Sequence, residues 1–250
     1  MKPEDARRFI VIGLGGVGGL VLRLLVPFLH HDRREATVLC ADGDSFEPRN
    51  RARMWFEELG PKANVLAEEL ARDYGDRVAL LPVPYYVTPR RAVWLIQERD
   101  VVFCTPDNHA TRRLVERRCA RLSDVALFSG GNDGVEDGHT GTLGNVQVYL
   151  RAGGRDVTNP ISTFHPEIAK PGDRVPSAGC EAETPGAPQL LFTNAAVASA
   201  LLGAFYAWSQ GSLEYEEAYL DVLSGRHVPV QRKLQERRLG RRRSAPKPLV

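Results

Sequence analysis

Along the first 130 residues, short apolar runs alternate with stretches of helical period. Phe9–Ile12 is an apolar run that enters a glycine turn, and Val17–Leu29 carries a helical pattern. Pro27 strains the last turn of that helix, which predicts its end near His30 and His31. Thr37–Asp44 reads as a second strand ending in two acids, and Pro61–Tyr74 as a second helix with Lys62 in its first turn. Val78–Val83 reads as a third strand. Thr88, with Pro89 behind it, predicts an N-cap and a helix running to about Glu98. Asp100–Asn108 is a strand ending in a polar turn, Ala110–Arg121 a helix and Val125–Ser129 a strand. This order predicts an α/β fold: a Rossmann-like, doubly wound, mostly parallel sheet with helices on both faces.

The pattern changes after Gly130. Asn145–Leu150 alternates and reads as an antiparallel strand. Residues 151–189 hold many Gly, Pro and acidic residues without a period, as a long crossing loop does. A helix from about Asn194 and a strand near Tyr219–Leu223 follow. The predicted organisation is a nucleotide-binding part (1–130), a partner-binding, sheet-extending part of the same domain (131–225) and a basic, flexible tail (226–250). Arg232–Lys247 carries eight basic residues against one acid. That stretch suits a solubilising tail, or the electrostatic steering of an acidic partner or nucleic acid.

Composition narrows the class. Apolar residues make up 43% of the chain, enough for a sizeable core, and the formal net charge of +2 does not point to nucleic acid. Leu190–Trp208 is apolar but holds Thr193, Asn194 and Ser199, which favours a buried helix over a membrane span. Charged residues crowd the start where a signal peptide would lie, and none of the four cysteines pairs as CxxC. These features predict a cytoplasmic, reduced protein.

Gly13, Gly15 and Gly18 form GxGxxG between a strand and a helix. Gly13 permits the tight turn, Gly15 lets phosphates approach the backbone, and Gly18 lets the helix pack on the strand. The helix N-terminus then offers free N–H groups to an anion. Asp42, 24 residues beyond Gly18, is placed to take ribose hydroxyls. Asp44 either shares that role or initiates the turn in DGDS.

The stretch DGDSFEPRNRARMW decides between families. It resembles the D-x-D-x-[VI]-x-x-S-N-L-x-R-Q segment of the ThiF/MoeB-like superfamily, the enzymes that adenylate ubiquitin-like and sulfur-carrier proteins. Asp42, Asp44, Asn50 and Arg53 fall in register, with Phe46 at the apolar position. Arg49, Arg51 and Met54 depart from the usual Ser, Leu and Gln. Gly60–Lys62, G-P-K, is similar to the family's G-x-x-K segment but one residue shorter. FCTPDNHATR resembles its D-[CA]-[TS]-D-N-x-x-x-R strand end, with Pro106 inserted between Thr105 and Asp107. The double glycine Gly15–Gly16 is another family feature.

The resemblance covers about residues 8–130 well. It implies ATP at Gly13–Gly18, ribose on Asp42, phosphates on Lys62 and Arg53, and Mg²⁺ on Asp107. Asn108 belongs to the same nucleotide site, although it or Asp107 could instead cap the next helix. The implied partner is a small ubiquitin-like (β-grasp) or sulfur-carrier protein. Its C-terminal carboxylate attacks the α-phosphate, giving an acyl adenylate and pyrophosphate. The implied assembly is a homodimer in which Arg53 reaches the other subunit. In some relatives a loop cysteine takes the product as a thioester. Cys180 is the candidate here; Glu181 and Glu183 beside it would raise its pKa, and the alternative is simple packing.

The family's paired CxxC motifs are missing, so no structural zinc is expected. So is the arginine upstream of the first strand, which leaves Arg49 or Arg51 to substitute. His109 is placed near the nucleotide, while His139 and His165 read as loop histidines with local partners. Two other functions compete. A NAD-dependent oxidoreductase explains the glycines and Asp42 but not the cations after Asp44. A non-catalytic nucleotide-binding scaffold accommodates the missing arginine and Pro106.

Overall fold

The computed structural model describes residues 6, 8–32, 35–52, 54–133, 140–176 and 189–231. In chain order the elements are β1 (Arg8–Ile12), α1 (Gly16–His31), β2 (Ala36–Ala41), β3 (Ser45–Phe46), β4 (Gly60–Pro61), α2 (Lys62–Tyr74) and β5 (Val78–Val83). Next come α3 (Pro89–Leu95), β6 (Val101–Cys104), α4 (His109–Cys119), β7 (Val125–Asn132), β8 (Leu143–Ala152) and β9 (Arg155–Asp156). Last are α5 (Pro166–Ala169), α6 (Leu191–Ser209), β10 (Glu217–Asp221) and β11 (Arg226–Val230).

The main sheet runs β11-β10-β8-β7-β6-β1-β2-β5. Strands β5, β2, β1, β6 and β7 are parallel; β8, β10 and β11 extend the sheet by antiparallel pairing. After Arg8, β1 is apolar from Phe9 to Ile12 because both its faces are covered there. Phe9 and Val11 enter the core beneath α1, α2 and α6, while Ile10 and Ile12 enter the core beneath α3 and α4. After β5 the chain returns to the other side of β1, so strand order reverses between β1 and β6. In open α/β sheets that reversal leaves a crevice at the strands' carboxyl ends.

α6 is long and apolar enough to cross a membrane. Here one side of it packs on the sheet. A Cβ at Gly130 would stand 2.5 Å from Leu201 Cδ1, and one at Gly144 2.4 Å from Val197 Cγ2. Two glycines on neighbouring strands therefore let the helix approach. Phe205 of α6 meets Phe9, Phe103 and Phe128 at ring distances of 5.5–6.0 Å, which closes that core.

Several boundaries differ from the sequence pattern for local reasons. α3 ends at Leu95, short of Glu98, because the Asp100 carboxylate takes Gln97 N at 2.7 Å and Arg99 turns to φ 68°. β2 ends at Ala41, before the two acids. β11 continues the sheet into the start of the stretch read as a tail, and pairs with β10. The long connection also holds β9, a short 3₁₀ turn at Ile161–Thr163, and α5.

Candidate functional site

A cleft of about 910 Å³ opens at the carboxyl ends of β1, β2 and β6 and extends over the antiparallel strands. Its size suits a nucleotide with room beyond it. At one end lies the β1–α1 turn. Gly13 has φ 84°, and a Cβ there would stand 2.6 Å from Pro106 N. The position thus needs glycine twice, for its backbone angle and for the close approach of residues 105–106. Thr105 Oγ1 donates to Gly13 O at 2.7 Å and fixes the turn to the end of β6. Gly15 caps α1 with nothing within 4 Å of its would-be Cβ, so the approach to the helix's free N–H groups is open. Gly16 lies under Asn194 of α6, whose Nδ2 is 2.0 Å from a Gly16 Cβ.

The end of β2 carries the acids. Asp42 takes Leu14 N at 2.6 Å on Oδ2 and Asp44 N at 2.8 Å on Oδ1. Asp42 therefore initiates the turn. Burial pushes the Asp42 carboxyl above its ordinary range, against the opposing charge of Lys62. Asp44 lies below its ordinary range: burial raises it, but Lys62, the Tyr86 hydroxyl and Arg49 together outweigh that. Tyr86 donates its hydroxyl to Asp44, and Lys62 Nζ is 3.1 Å from the same carboxylate.

Lys62 comes from elsewhere in the chain. β3 and β4 pair Ser45 with Pro61 and Phe46 with Gly60. That small ladder brings Lys62 N within 2.9 Å of Asp44 O. A lysine in the first turn of α2, with its side chain 10% exposed, opposes both the helix dipole and desolvation. Local preference would not select it there, and such departures gather at functional sites.

The end of β6 supplies Asp107, Asn108 and His109 to the cleft. Asn108 caps α4 by accepting from Thr111 N at 2.8 Å, so Asp107 is not needed as a cap and stays exposed. Asp173, from the long connection, takes His109 N at 2.7 Å and Ala110 N at 2.8 Å. Arg112 is buried and donates to Pro106 O, Ser129 Oγ and Gly130 O at 2.8–3.1 Å. Burial pushes its pKa below the ordinary arginine value. Beyond Arg112, the cleft floor is the polar face of β8 and β10, with Asn145, Gln147 and Tyr219.

The structure gathers Gly13, Gly15, Gly16, Asp42, Asp44, Lys62, Asp107 and Asn108 around this one cleft. Two predicted positions stand outside it. Gly18 sits behind the turn, where a Cβ would meet Gly13 O at 1.8 Å, so its part is to let α1 pack against β1. Asn50 is buried in the 3₁₀ turn Pro48–Ala52 and accepts Glu47 N at 2.8 Å. Arg53 and Cys180 lie outside the described residues, as does His139.

The expectation that Arg49 or Arg51 replaces an upstream arginine finds no support in the geometry. Arg49 pairs with Glu47, and Arg51 lies 4.6 Å above the Phe56 ring; neither lines the cleft. Burial pushes the thiols of Cys40 and Cys104 up to about 12, and that of Cys119 also up, so none of the three is a ready nucleophile. Tyr86, Asp173 and Gln147 were missed as site residues. Each is brought in by a turn or strand pairing that leaves no spacing signal.

A family model described as the ThiF family matches residues 4–218. No curated protein matches the chain in sequence. Among solved structures, Escherichia coli MccB with succinimide is similar at 14% identity and TM-score 0.64, over 91% of this chain and 64% of that one. PaaA is similar at 14% identity and TM-score 0.65, over 92% of this chain and 65% of that one. E. coli MccB with ATP is similar at 12% identity and TM-score 0.63, over 90% and 63%. At these identities the likeness establishes the fold, and this chain spans just under two thirds of the length of those proteins.

Proposed function

The chain belongs to the ThiF family, and from that premise we propose that it binds ATP in this cleft and transfers AMP to the C-terminal carboxylate of a small peptide or protein. The observation that carries the reading is Lys62. It is a cation buried at the start of a helix, in the same cleft as the open N-terminus of α1. A polyphosphate between the two pairs with both.

The residues divide the work. The backbone at Gly13–Gly16 takes phosphate oxygens, with Gly15 leaving the space. Asp42, already held by Leu14 N, faces the ribose hydroxyls with its remaining lone pairs. Lys62 moves its charge from Asp44 to the phosphates, and Asp44 keeps the Tyr86 hydroxyl as partner. The exposed carboxylate of Asp107 is a hard oxygen donor of the type Mg²⁺ takes, beside the phosphate end. Such an ion neutralises charge that develops on the phosphates.

A carboxylate oxygen of the partner attacks the α-phosphorus. The bond from that phosphorus to the bridging oxygen of the β-phosphate breaks, and pyrophosphate leaves with its electron pair. Catalysis of this kind is positioning and charge stabilisation.

MccB has been solved in complex with N-formylated MccA and with ATP. A small partner with a free carboxylate is the corresponding reading for this chain. A ubiquitin-like β-grasp protein is the finer form of it, with a homodimer that places Arg53 at the phosphates, Cys180 receiving the acyl group as a thioester, and a cytoplasmic setting.

The test is ATP–pyrophosphate exchange with Mg²⁺ and candidate partners, beside Asp107→Ala. Exchange that needs both the terminal carboxylate and Asp107 supports the reading. Tight binding of NAD with none of ATP overturns it in favour of an oxidoreductase.

A further inference from the structure

The far end of the cleft has a chemistry that ATP does not use. Gln147 of β8 lines it and is only 2% exposed. One end of its amide lies 3.3 Å from His165 Nε2, and the other end has no hydrogen-bond partner. Turning the amide over puts its oxygen on His165 Nε2, which donates when the ring is protonated, and leaves the NH2 as the unsatisfied end. A buried amide atom left in that state costs free energy unless something arriving in the cleft pairs with it.

The surroundings fix where that atom lies. His165 is held on both ring nitrogens, by Glu167 at 3.0 Å and Glu217 at 3.0 Å. Its hydrogen bond to Glu217 raises its pKa, as an imidazolium between two carboxylates requires. Among the described residues this group is not arranged to hold a metal ion. Glu217 and Gln147 are register partners across β10 and β8, and Gln147 and Ser129 across β8 and β7. Ser129 Oγ in turn takes Arg112 Nη1 at 2.8 Å. Gln147 therefore stands one interstrand spacing, about 5 Å, from the Arg112–Ser129 contact at the nucleotide end.

A partner whose carboxylate meets the α-phosphate must enter from the end that ATP leaves open, so its last side chain faces this floor. We propose that Gln147 reads the last side chain of the activated partner, and that this side chain carries a hydroxyl or a carboxamide. Both groups donate and accept, so either satisfies the free end of Gln147 in either orientation. An apolar side chain or a terminal glycine leaves the amide unpaired, and an acidic one meets Glu167 and Glu217. The inference rests on the activation reading above.

The experiment uses two panels: short peptides randomised at the last residue, and a β-grasp protein varied at its last residue. Each is incubated with the full chain, ATP and Mg²⁺, and the adenylates are trapped by hydroxylamine as hydroxamates for mass spectrometry. Ser, Thr, Asn or Gln ends are expected to be enriched on the order of tenfold or more over Leu and Gly. Gln147→Leu should reverse the preference toward Leu, and Gln147→Glu should favour a Lys end. Melting of each variant with ATP shows that the site is still folded. Equal yields for all ends, or a preference unchanged in Gln147→Leu, overturn the inference and leave activation standing. No hydroxamate from either panel overturns activation itself, and the inference falls with it.

Discussion

Gly15 and Gly18 lie in the same turn, yet alanine should damage different properties at the two positions. At Gly18 the new methyl would stand 1.8 Å from Gly13 O and 2.5 Å from Thr105 Oγ1. A carbon–oxygen contact needs about 3.3 Å, so α1 must move by about 1.5 Å from β1, and the carbonyl it meets is backbone that cannot rotate away. Overpacking of this kind costs about 3 kcal/mol, the upper part of the usual range. For a chain of this length that lowers Tm by about 6–12 °C.

At Gly15 the methyl meets nothing within 4 Å, and φ is −72°, so no strain arises. Alanine is the poorer N-cap, which costs only about 0.5 kcal/mol. The methyl nevertheless fills the space where phosphates would meet the backbone. The Kd for ATP should rise at least about tenfold, or 1.4 kcal/mol. Thermal melts without nucleotide and calorimetric titration with ATP and Mg²⁺ separate the two effects. A Gly18→Ala protein that melts within about a degree of the parent refutes the packing argument. A Gly15→Ala protein that binds ATP as the parent does refutes the phosphate placement.

Other consequences follow from the same geometry. Lys62→Met removes the cation that faces Asp44 and should weaken ATP binding about tenfold in titration, with the nucleotide-free fold retained. Asp107→Asn should keep ATP binding but lower the pyrophosphate-exchange rate by about 10²–10³, as loss of a charge-stabilising group does. Arg112→Met strands Ser129, Gly130 and Pro106 acceptors in the core and should cost about 3 kcal/mol in urea unfolding. The raised pKa of His165 stabilises the fold fully below the ordinary histidine value of 6.5, and that contribution is lost as pH rises through the raised value. Unfolding free energies at about pH 6 and about pH 9 should therefore differ more for the parent than for His165→Gln.

Much of this protein is decided by local chemistry and is legible along the chain. The alternation of apolar runs and helical periods determined the parallel α/β core, because burial on two faces leaves an apolar run in the central strands β1, β6 and β7. Gly13 and Gly18 were readable because only glycine tolerates those backbone angles and approaches. A cap for α4 at Asp107 or Asn108 was readable because capping acts within one turn of helix, and the structure assigns it to Asn108. What the tertiary structure alone decided is which distant groups meet. Lys62 reaches Asp44 through the β3–β4 ladder, Tyr86 crosses from beyond β5 to the same carboxylate, and Asp173 returns from the long connection to α4. The buried row from Ser129 through Gln147 to Glu217 exists only because β7, β8 and β10 pair in one register. Strand register is set by the packing of whole faces, and no spacing within a single segment records it.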